Sequence, residues 1–172
     1  MYNSETPVIV YHGSTVNDNA LFFTCSLIEY IGRLTKNKRK DIIDYLGEDV
    51  NRIYKYADVF HCEPIEKVAD DFILRAKIPV GNYDVAEKAK YSVPDYWDIG
   101  EVFARLVEDL FDDDTVITGI KTIFQSWLTE RILNFNSDLY YQPRDYLAEC
   151  YREGTLNHQI PKPSCRSDSD KI

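Results

Sequence analysis

The chain has 172 residues, 44% of them hydrophobic and 28% charged, which is a length and a balance typical of one globular domain. Its net charge of −9 excludes a chain-wide nucleic-acid surface, because phosphate binding requires a basic face. Its apolar stretches are far shorter than the roughly 20 residues of a transmembrane helix. These properties predict a protein that binds neither nucleic acid nor membranes.

The cysteines indicate the redox compartment. None of the four has the CxxC spacing of redox or zinc sites, and no secretory leader opens the sequence. A chain of this length also buries enough apolar surface to fold without disulfides or a metal. We therefore expect reduced thiols, a cytoplasmic location and no bound metal.

The first part of the chain combines a short extended arm with a long apolar helix. Residues 8–11, VIVY, form an apolar run that ends in polar turn formers. Segment 18–35 is apolar on almost every face, and its polar residues Ser26, Glu29 and Arg33 share one narrow helical stripe. The pattern predicts a central helix in which Glu29 and Arg33 form an i,i+4 ion pair with a structural role.

Apolar residues recur at helical spacing in most of the remaining chain. Further helices are predicted over residues 39–46, 48–60, 64–73, 99–110, 115–135 and 143–154. Segment 77–98 is the least regular part of the interior, because Pro79, Gly81 and Pro94 interrupt it. We expect turns and irregular backbone there.

These elements predict an all-α fold, a single-domain helical bundle of about six or seven helices with a short extended N-terminal arm. The helical domain should span residues 1–154, with helix 18–35 at its centre and helix 115–135 packed along it. Residues 155–172 contain two prolines and few apolar side chains. That composition predicts a largely disordered tail.

The arm ends in a YHGS turn, which consists of Tyr11, His12, Gly13 and Ser14. It resembles the opening of bacterial ADP-ribosyltransferase-like proteins, in which a first strand ends in such a turn facing NAD. The resemblance implies a cofactor-binding turn whose histidine holds a ribose hydroxyl and whose glycine lets the backbone approach closely. That fold needs several strands, whereas helices follow this turn. A plain turn is therefore favoured, and an NAD-using ADP-ribosyltransferase relative is the alternative.

A second resemblance covers roughly the first half of the chain. Residues 20–33 and 56–73 read ALFFTCSLIEYIGR and YADVFHCEPIEKVADDFI. They resemble a loosely characterised family of short helical bacterial proteins of unknown function, often encoded beside ADP-ribosyltransferase-like proteins. The resemblance implies a partner protein rather than an enzyme, and it brings no catalytic residues.

Two charged runs fall at predicted helix boundaries. The basic run over residues 33–40 and the acidic run over residues 108–114 are typical of solvated turns. The basic run and the helices after it also fit the outline of a helix-turn-helix. However, the would-be recognition segment 48–60 carries three acids against two bases, which is a poor surface for phosphates. We predict no DNA binding.

The HCEP motif combines residue types that serve in catalytic and metal sites. Its adjacent His61 and Cys62 point about 100° apart on a helix, so they cannot form a nucleophile–base pair with each other. Metal ligands would need partners at helical or CxxC spacing, which the sequence lacks. The favoured interpretation is a helix end followed by a turn that Pro64 closes.

The YWDIGEV motif, residues 96–102, matches the pattern of a helix start. Asp98 is predicted to cap the helix, and Glu101 three residues later would complete a capping box. Trp97, directly before the cap, would then pack on Val102 as a hydrophobic staple. This interpretation explains most of the motif without a ligand.

Segment LYYQPRDY is harder to explain by structure alone. It places Tyr140, Tyr141 and Tyr146 beside Arg144, and tyrosine and arginine dominate interface hot spots. For two of these three tyrosines a position in the core is the favoured interpretation. The segment therefore predicts either a partner-binding surface or a closed end of the bundle.

A hairpin of the helices over 99–111 and 116–135 would bring two aromatic segments to the same end of the molecule, because antiparallel helices return the chain to its starting level. We therefore predict a non-enzymatic protein-binding or regulatory module that needs no cofactor. The predicted partner-binding residues are Tyr96, Trp97, Tyr140, Tyr141 and Arg144.

Overall fold

The computed structural model describes residues 18–156, and within that range every regular element is helical. The nine α-helices are α1 (Asp18–Thr35), α2 (Arg39–Leu46), α3 (Asp49–Lys55), α4 (Ala57–Phe60), α5 (Ile65–Ala76), α6 (Tyr96–Leu110), α7 (Val116–Phe124), α8 (Trp127–Ile132) and α9 (Arg144–Glu153). The all-α prediction is confirmed, with more and shorter helices than expected. The predictions for the arm, for the YHGS turn and for all but two residues of the tail lie outside the described range.

Helix α1 occupies the centre of the bundle, as its all-round apolar pattern predicts. Most of its side chains are buried, and α6 is its main packing partner. A Cβ atom at Gly100 of α6 would lie 2.7 Å from the Cα atom of Ser26, so this glycine permits the close approach of the two helices. Helices α7 and α9 pack on α6 instead. The prediction that helix 115–135 lies along α1 is therefore wrong.

Two predicted helices are each divided in two. Segment 48–60 breaks at Tyr56, whose φ of −111° and ψ of 22° are not helical. Segment 115–135 breaks at Ser126, where the hydroxyl groups of Ser126 and Thr129 both donate to the carbonyl of Ile123 at 2.7 Å. Side-chain hydroxyls that bind backbone carbonyls compete with helical hydrogen bonds, which explains the second break.

Helix α6 begins earlier than the capping pattern predicts. The carboxylate of Asp95 accepts a hydrogen bond from the backbone N–H of Trp97 at 2.8 Å and so caps the helix. The predicted capping box of Asp98 and Glu101 is therefore wrong, as is the predicted staple. Trp97 stacks instead on Phe22 of α1, and this tertiary contact accompanies the earlier start.

A buried ion-pair network joins α1 to α2. The fully buried carboxylate of Glu29 accepts hydrogen bonds from Nε of Arg33 at 2.8 Å and from Nε and Nη2 of Arg39 at 2.7 and 3.0 Å. The predicted pair of Glu29 and Arg33 is confirmed, but Arg39 lies in the core rather than in a solvated turn. It fits there because a Cβ atom at Gly32 would lie only 2.4 Å from its Cδ atom.

Candidate functional site

Arg144, the first residue of α9, is held against the acidic end of α6. Its Nε donates to both carboxylate oxygens of Asp109 at 2.7 and 2.8 Å, and its Nη2 donates to Glu108 at 2.7 Å. These hydrogen bonds raise the pKa of Arg144, and the one to Asp109 has the largest effect. The side chain is still 43% exposed. The predicted guanidinium therefore lies at the surface in one defined orientation.

A groove of about 330 Å³ lies between α1 and α6, and Arg144 of α9 contributes to its lining. Its apolar floor comes from Phe22 and Ala104. Charged side chains of α6 form one wall, where Glu101 and Arg105 are hydrogen-bonded to each other. The complete lining consists of Asn19, Phe22, Glu101, Ala104, Arg105, Glu108 and Arg144. We name this feature the α6 groove.

An aromatic cluster stands beside the α6 groove at the start of α6. The ring of Trp97 stacks on Phe22 with centroids 5.4 Å apart, and Phe22 itself lines the groove. Tyr96 packs edge-on against Tyr30 at 4.9 Å. Both predicted residues are partly buried. The indole and phenol rings are therefore held in place by α1 and remain partly exposed.

A second aromatic cluster lies where the chain enters α9. Tyr140 packs edge-on against Phe135 at 5.7 Å, and the ring of Tyr141 lies 4.2 Å from that of Tyr140. The pKa of Tyr140 is raised to about 12, mainly by burial and secondly by a hydrogen bond with Tyr141. Tyr141 is 76% exposed. One of the two predicted tyrosines thus supports the core edge, and the other projects into solvent.

The five predicted residues form two clusters with Arg144 between them. Arg144 lines both the α6 groove and a smaller cleft that Tyr140 also lines. Among the described residues, no ring contact joins the pair Tyr96 and Trp97 to the tyrosines near α9. Sequence reasoning missed Arg105, although its spacing from Trp97 and Glu101 along α6 places all three on one helical face.

The residues of the HCEP motif, His61 and Cys62, make contacts that are typical of a helix end. His61 packs edge-on against Phe23 at 5.4 Å, and the thiol of Cys62 donates to the carbonyl of Asp58 at 3.3 Å. Both follow the end of α4, as predicted. Within residues 18–156 no group of three histidine, cysteine, aspartate or glutamate side chains could hold a metal ion. In the same range no helix is long and apolar enough to cross a bilayer.

The stacking of Trp97, the orientation of Arg144 and the α6 groove come from contacts between α1, α6 and α9. Comparison of the chain with protein-family models, with curated protein sequences and with solved structures gave no match.

Proposed function

We propose that this protein is a non-enzymatic binding module that holds another protein against the surface formed by the α6 groove and its two aromatic clusters. The observation that carries the proposal is the position of Arg144. Its guanidinium is oriented by Glu108 and Asp109, and it lines both the α6 groove and the smaller cleft that Tyr140 also lines. Tryptophan, tyrosine and arginine are the residue types that contribute most to interface hot spots.

Binding at the proposed surface would cost little side-chain conformational entropy. Binding usually costs about 0.5–1.5 kcal/mol for each flexible side chain that it immobilises. Arg144 is already fixed by Asp109, and Trp97 is already stacked on Phe22. Among the described residues, Nη1 of Arg144 has no hydrogen-bond partner, so it is available to donate to a carbonyl or carboxylate of a partner. Little further ordering is needed when the partner binds.

The charges of the α6 groove indicate which kind of partner segment could bind there. The walls alternate between the acidic Glu101 and Glu108 and the basic Arg105 and Arg144, over the apolar floor at Phe22. A segment with apolar side chains flanked by both signs of charge would complement such a surface. The resemblance of the first half of the chain implies an ADP-ribosyltransferase-like protein, and we propose this class as the partner.

The test is an isothermal titration of the full chain with a purified ADP-ribosyltransferase-like protein. We expect Arg144→Ala and Trp97→Ala each to weaken binding about tenfold or more, as truncation of hot-spot residues does. Arg75→Ala is the matched control, because Arg75 is also an exposed arginine paired with an aspartate, but on α5. Equal affinity for all variants would contradict the proposed surface.

A second titration tests the alternative function, that of an NAD-using ADP-ribosyltransferase relative. NAD titrated into the full chain should produce no saturable heat if the protein is a binding module. Micromolar NAD binding that disappears in His12→Ala would overturn the proposal and favour an NAD-using enzyme. The two titrations test different residues, because the proposed surface is defined by residues 18–156 and His12 is not one of them.

A further inference from the structure

A second groove lies where the segment before α6 meets the turn after α8, and it has a volume of about 350 Å³. Two of its residues, Tyr91 and Tyr141, are 73% and 76% exposed. Its complete lining consists of Tyr91, Ser92, Phe135, Asn136, Ser137, Asp138, Tyr140 and Tyr141. We name it the tyrosine groove. Its two exposed rings require an explanation, because they contribute little to the core.

Hydrogen bonds fasten the two segments that form the tyrosine groove to each other. The side chain of Asn136 accepts a hydrogen bond from the backbone N–H of Lys90 at 2.7 Å and donates one to the carbonyl of Lys88 at 2.9 Å. Phe135 is fixed in addition by α1, because the guanidinium carbon of Arg33 lies 5.4 Å from the centre of its ring. The groove is therefore preformed, and a ligand would not have to order it first.

The lining of the tyrosine groove excludes most of the recurring ways in which proteins recognise peptides. Addition of a β-strand requires an exposed sheet edge, and residues 18–156 contain no strand. Recognition of a phosphorylated segment requires an arginine cluster, whereas the only charged residue of this lining is Asp138. A helical ligand buries a continuous apolar stripe, but half of the lining residues are serine, asparagine or aspartate. The remaining mode is the binding of a polyproline II helix on aromatic rings.

The aromatic rings of the tyrosine groove form a row of suitable length for such a ligand. The ring centres of Phe135 and Tyr140 are 5.7 Å apart, and those of Tyr140 and Tyr141 are 4.2 Å apart. The row therefore extends over at most about one turn of a polyproline II helix, which is roughly 9 Å for three residues. Tyr91 adds a further ring from the neighbouring segment. A ligand of one or two turns is long enough to contact all four rings.

The polar groups of the tyrosine groove match the backbone of a proline-rich ligand. A polyproline II helix has no internal hydrogen bonds, so its carbonyl groups accept from donors outside it. Within the described part of the chain, the hydroxyl groups of Tyr91 and Ser92 have no hydrogen-bond partner, so they are available to donate to these carbonyls. The carboxylate of Asp138 forms no ion pair within residues 18–156. Because proline has no N–H to offer this carboxylate, a basic side chain beside the prolines would complement it.

We propose that the tyrosine groove binds a proline-rich segment of another protein in the polyproline II conformation, with its prolyl rings on the tyrosines and an arginine or lysine side chain near Asp138. The proposal goes beyond the function proposed above, with which it shares only Tyr140 and Tyr141. Arg144 and Trp97 do not line the tyrosine groove. The failure of either proposal in its own titration therefore leaves the other intact.

The test is an isothermal titration of the full chain with a synthetic peptide of eight prolines around one central arginine, blocked at both ends. We expect saturable binding, which Tyr91→Ala and Tyr141→Ala should each weaken about tenfold, as truncation of hot-spot residues does. Both side chains are largely exposed, so these variants should fold. Tyr141→Phe should retain the affinity, because the ring remains.

The charge of the ligand is tested with a second peptide, in which glutamate replaces the central arginine. The unmodified chain should bind the arginine peptide about fivefold more tightly than the glutamate peptide, because only the arginine pairs with the carboxylate of Asp138. Asp138→Asn should remove this preference. Equal affinity of the unmodified chain for the two peptides would overturn the proposed contact with Asp138.

Tyr45→Ala with Tyr56→Ala is the matched control, because both residues are exposed tyrosines on α2 and between α3 and α4. This control should bind the arginine peptide with unchanged affinity. In ¹H–¹⁵N correlation spectra of the labelled chain, the peptide should shift the backbone resonances of Ser92 and Ser137. Shifts confined to residues outside the tyrosine groove would overturn the proposal.

Three further outcomes would overturn the assignment of this groove to a proline-rich ligand. The first is the absence of saturable binding, and the second is binding that persists in the double variant Tyr91→Ala/Tyr141→Ala. The third is equal affinity for a peptide of the same length in which glycine and serine replace the prolines. Groove resonances that shift on dilution of the protein alone would instead assign the groove to a second copy of the chain and would also overturn the proposal.

Discussion

The protein contains two arginine–carboxylate clusters with the same chemistry and opposite surroundings. In the first, Arg39 and Glu29 are both fully buried and share two hydrogen bonds. In the second, Arg144 contacts Glu108 and Asp109, and all three side chains reach solvent. Water can replace a broken hydrogen bond only in the second cluster. The buried cluster therefore matters for stability, and the surface cluster is free to serve recognition.

The buried cluster also carries more positive than negative charge. Arg33 and Arg39 share the single carboxylate of Glu29. Nη1 of Arg33 donates to the carbonyl of Pro94 at 2.7 Å, and its guanidinium lies 5.4 Å from the ring centre of Phe135. These contacts link α1 to the segments before α6 and after α8. Removal of the carboxylate would leave two guanidinium groups without an anion.

The largest expected effect is that of Glu29→Ala. Breaking a buried ion pair by removing one partner costs about 3–5 kcal/mol, because the remaining charge stays buried. Urea denaturation should show this loss in the free energy of unfolding. Glu101→Ala is the control, since the exposed pair of Glu101 and Arg105 should contribute less than about 0.5 kcal/mol. Similar losses in both variants would contradict the comparison.

Gly32→Ala should have an intermediate effect. The added methyl group would overlap the side chain of Arg39, and overpacking costs about 1–3 kcal/mol. The better helix propensity of alanine offsets about 1 kcal/mol of this cost. In an Arg39→Ala background the overlap disappears, so the same substitution should become stabilising. A double-mutant cycle by urea denaturation measures this coupling, and strict additivity would show that Arg39 does not occupy the space beside Gly32.

Arg144→Ala should change stability little. Surface ion pairs contribute about 0–1 kcal/mol, and water can solvate Glu108 and Asp109 once the guanidinium is absent. The free energy of unfolding should decrease by less than that amount, and the difference should shrink further at high salt. A loss comparable to that of Glu29→Ala would show that Arg144 is primarily a structural residue.

The smallest expected effect is the alkaline behaviour of Tyr140→Phe. The folded protein raises the pKa of Tyr140 from 10.0 to about 12. The folded state thus favours the neutral phenol. This preference contributes fully to the free energy of unfolding below pH 10, and the contribution is lost as the pH rises from about 10 to 12. Tyr140→Phe should therefore lose less stability over this range. Urea midpoints at pH 9 and 11 measure the difference, with Tyr141→Phe for comparison.

Local sequence patterns were sufficient for the class of fold and for several helix ends. The apolar periodicity of segment 18–35 predicts α1 with its bounds, and Gly154 predicts the end of α9. These features depend on residues within a few positions of one another, so helical spacing and turn chemistry determine them. The pair of Glu29 and Arg33 belongs to the same category, because it spans one helical turn.

Contacts between distant segments decided the rest. The sequence by itself determined that Arg39 is a base near the start of a helix, but the space beside Gly32 placed it in the core. Likewise, Asp95 and Asp98 are equally good caps, and α6 starts at the first of them where Trp97 stacks on Phe22. Burial and helix start here depend on which helix lies opposite. That information is absent from local spacing, because packing arises only when α1, α2 and α6 come together.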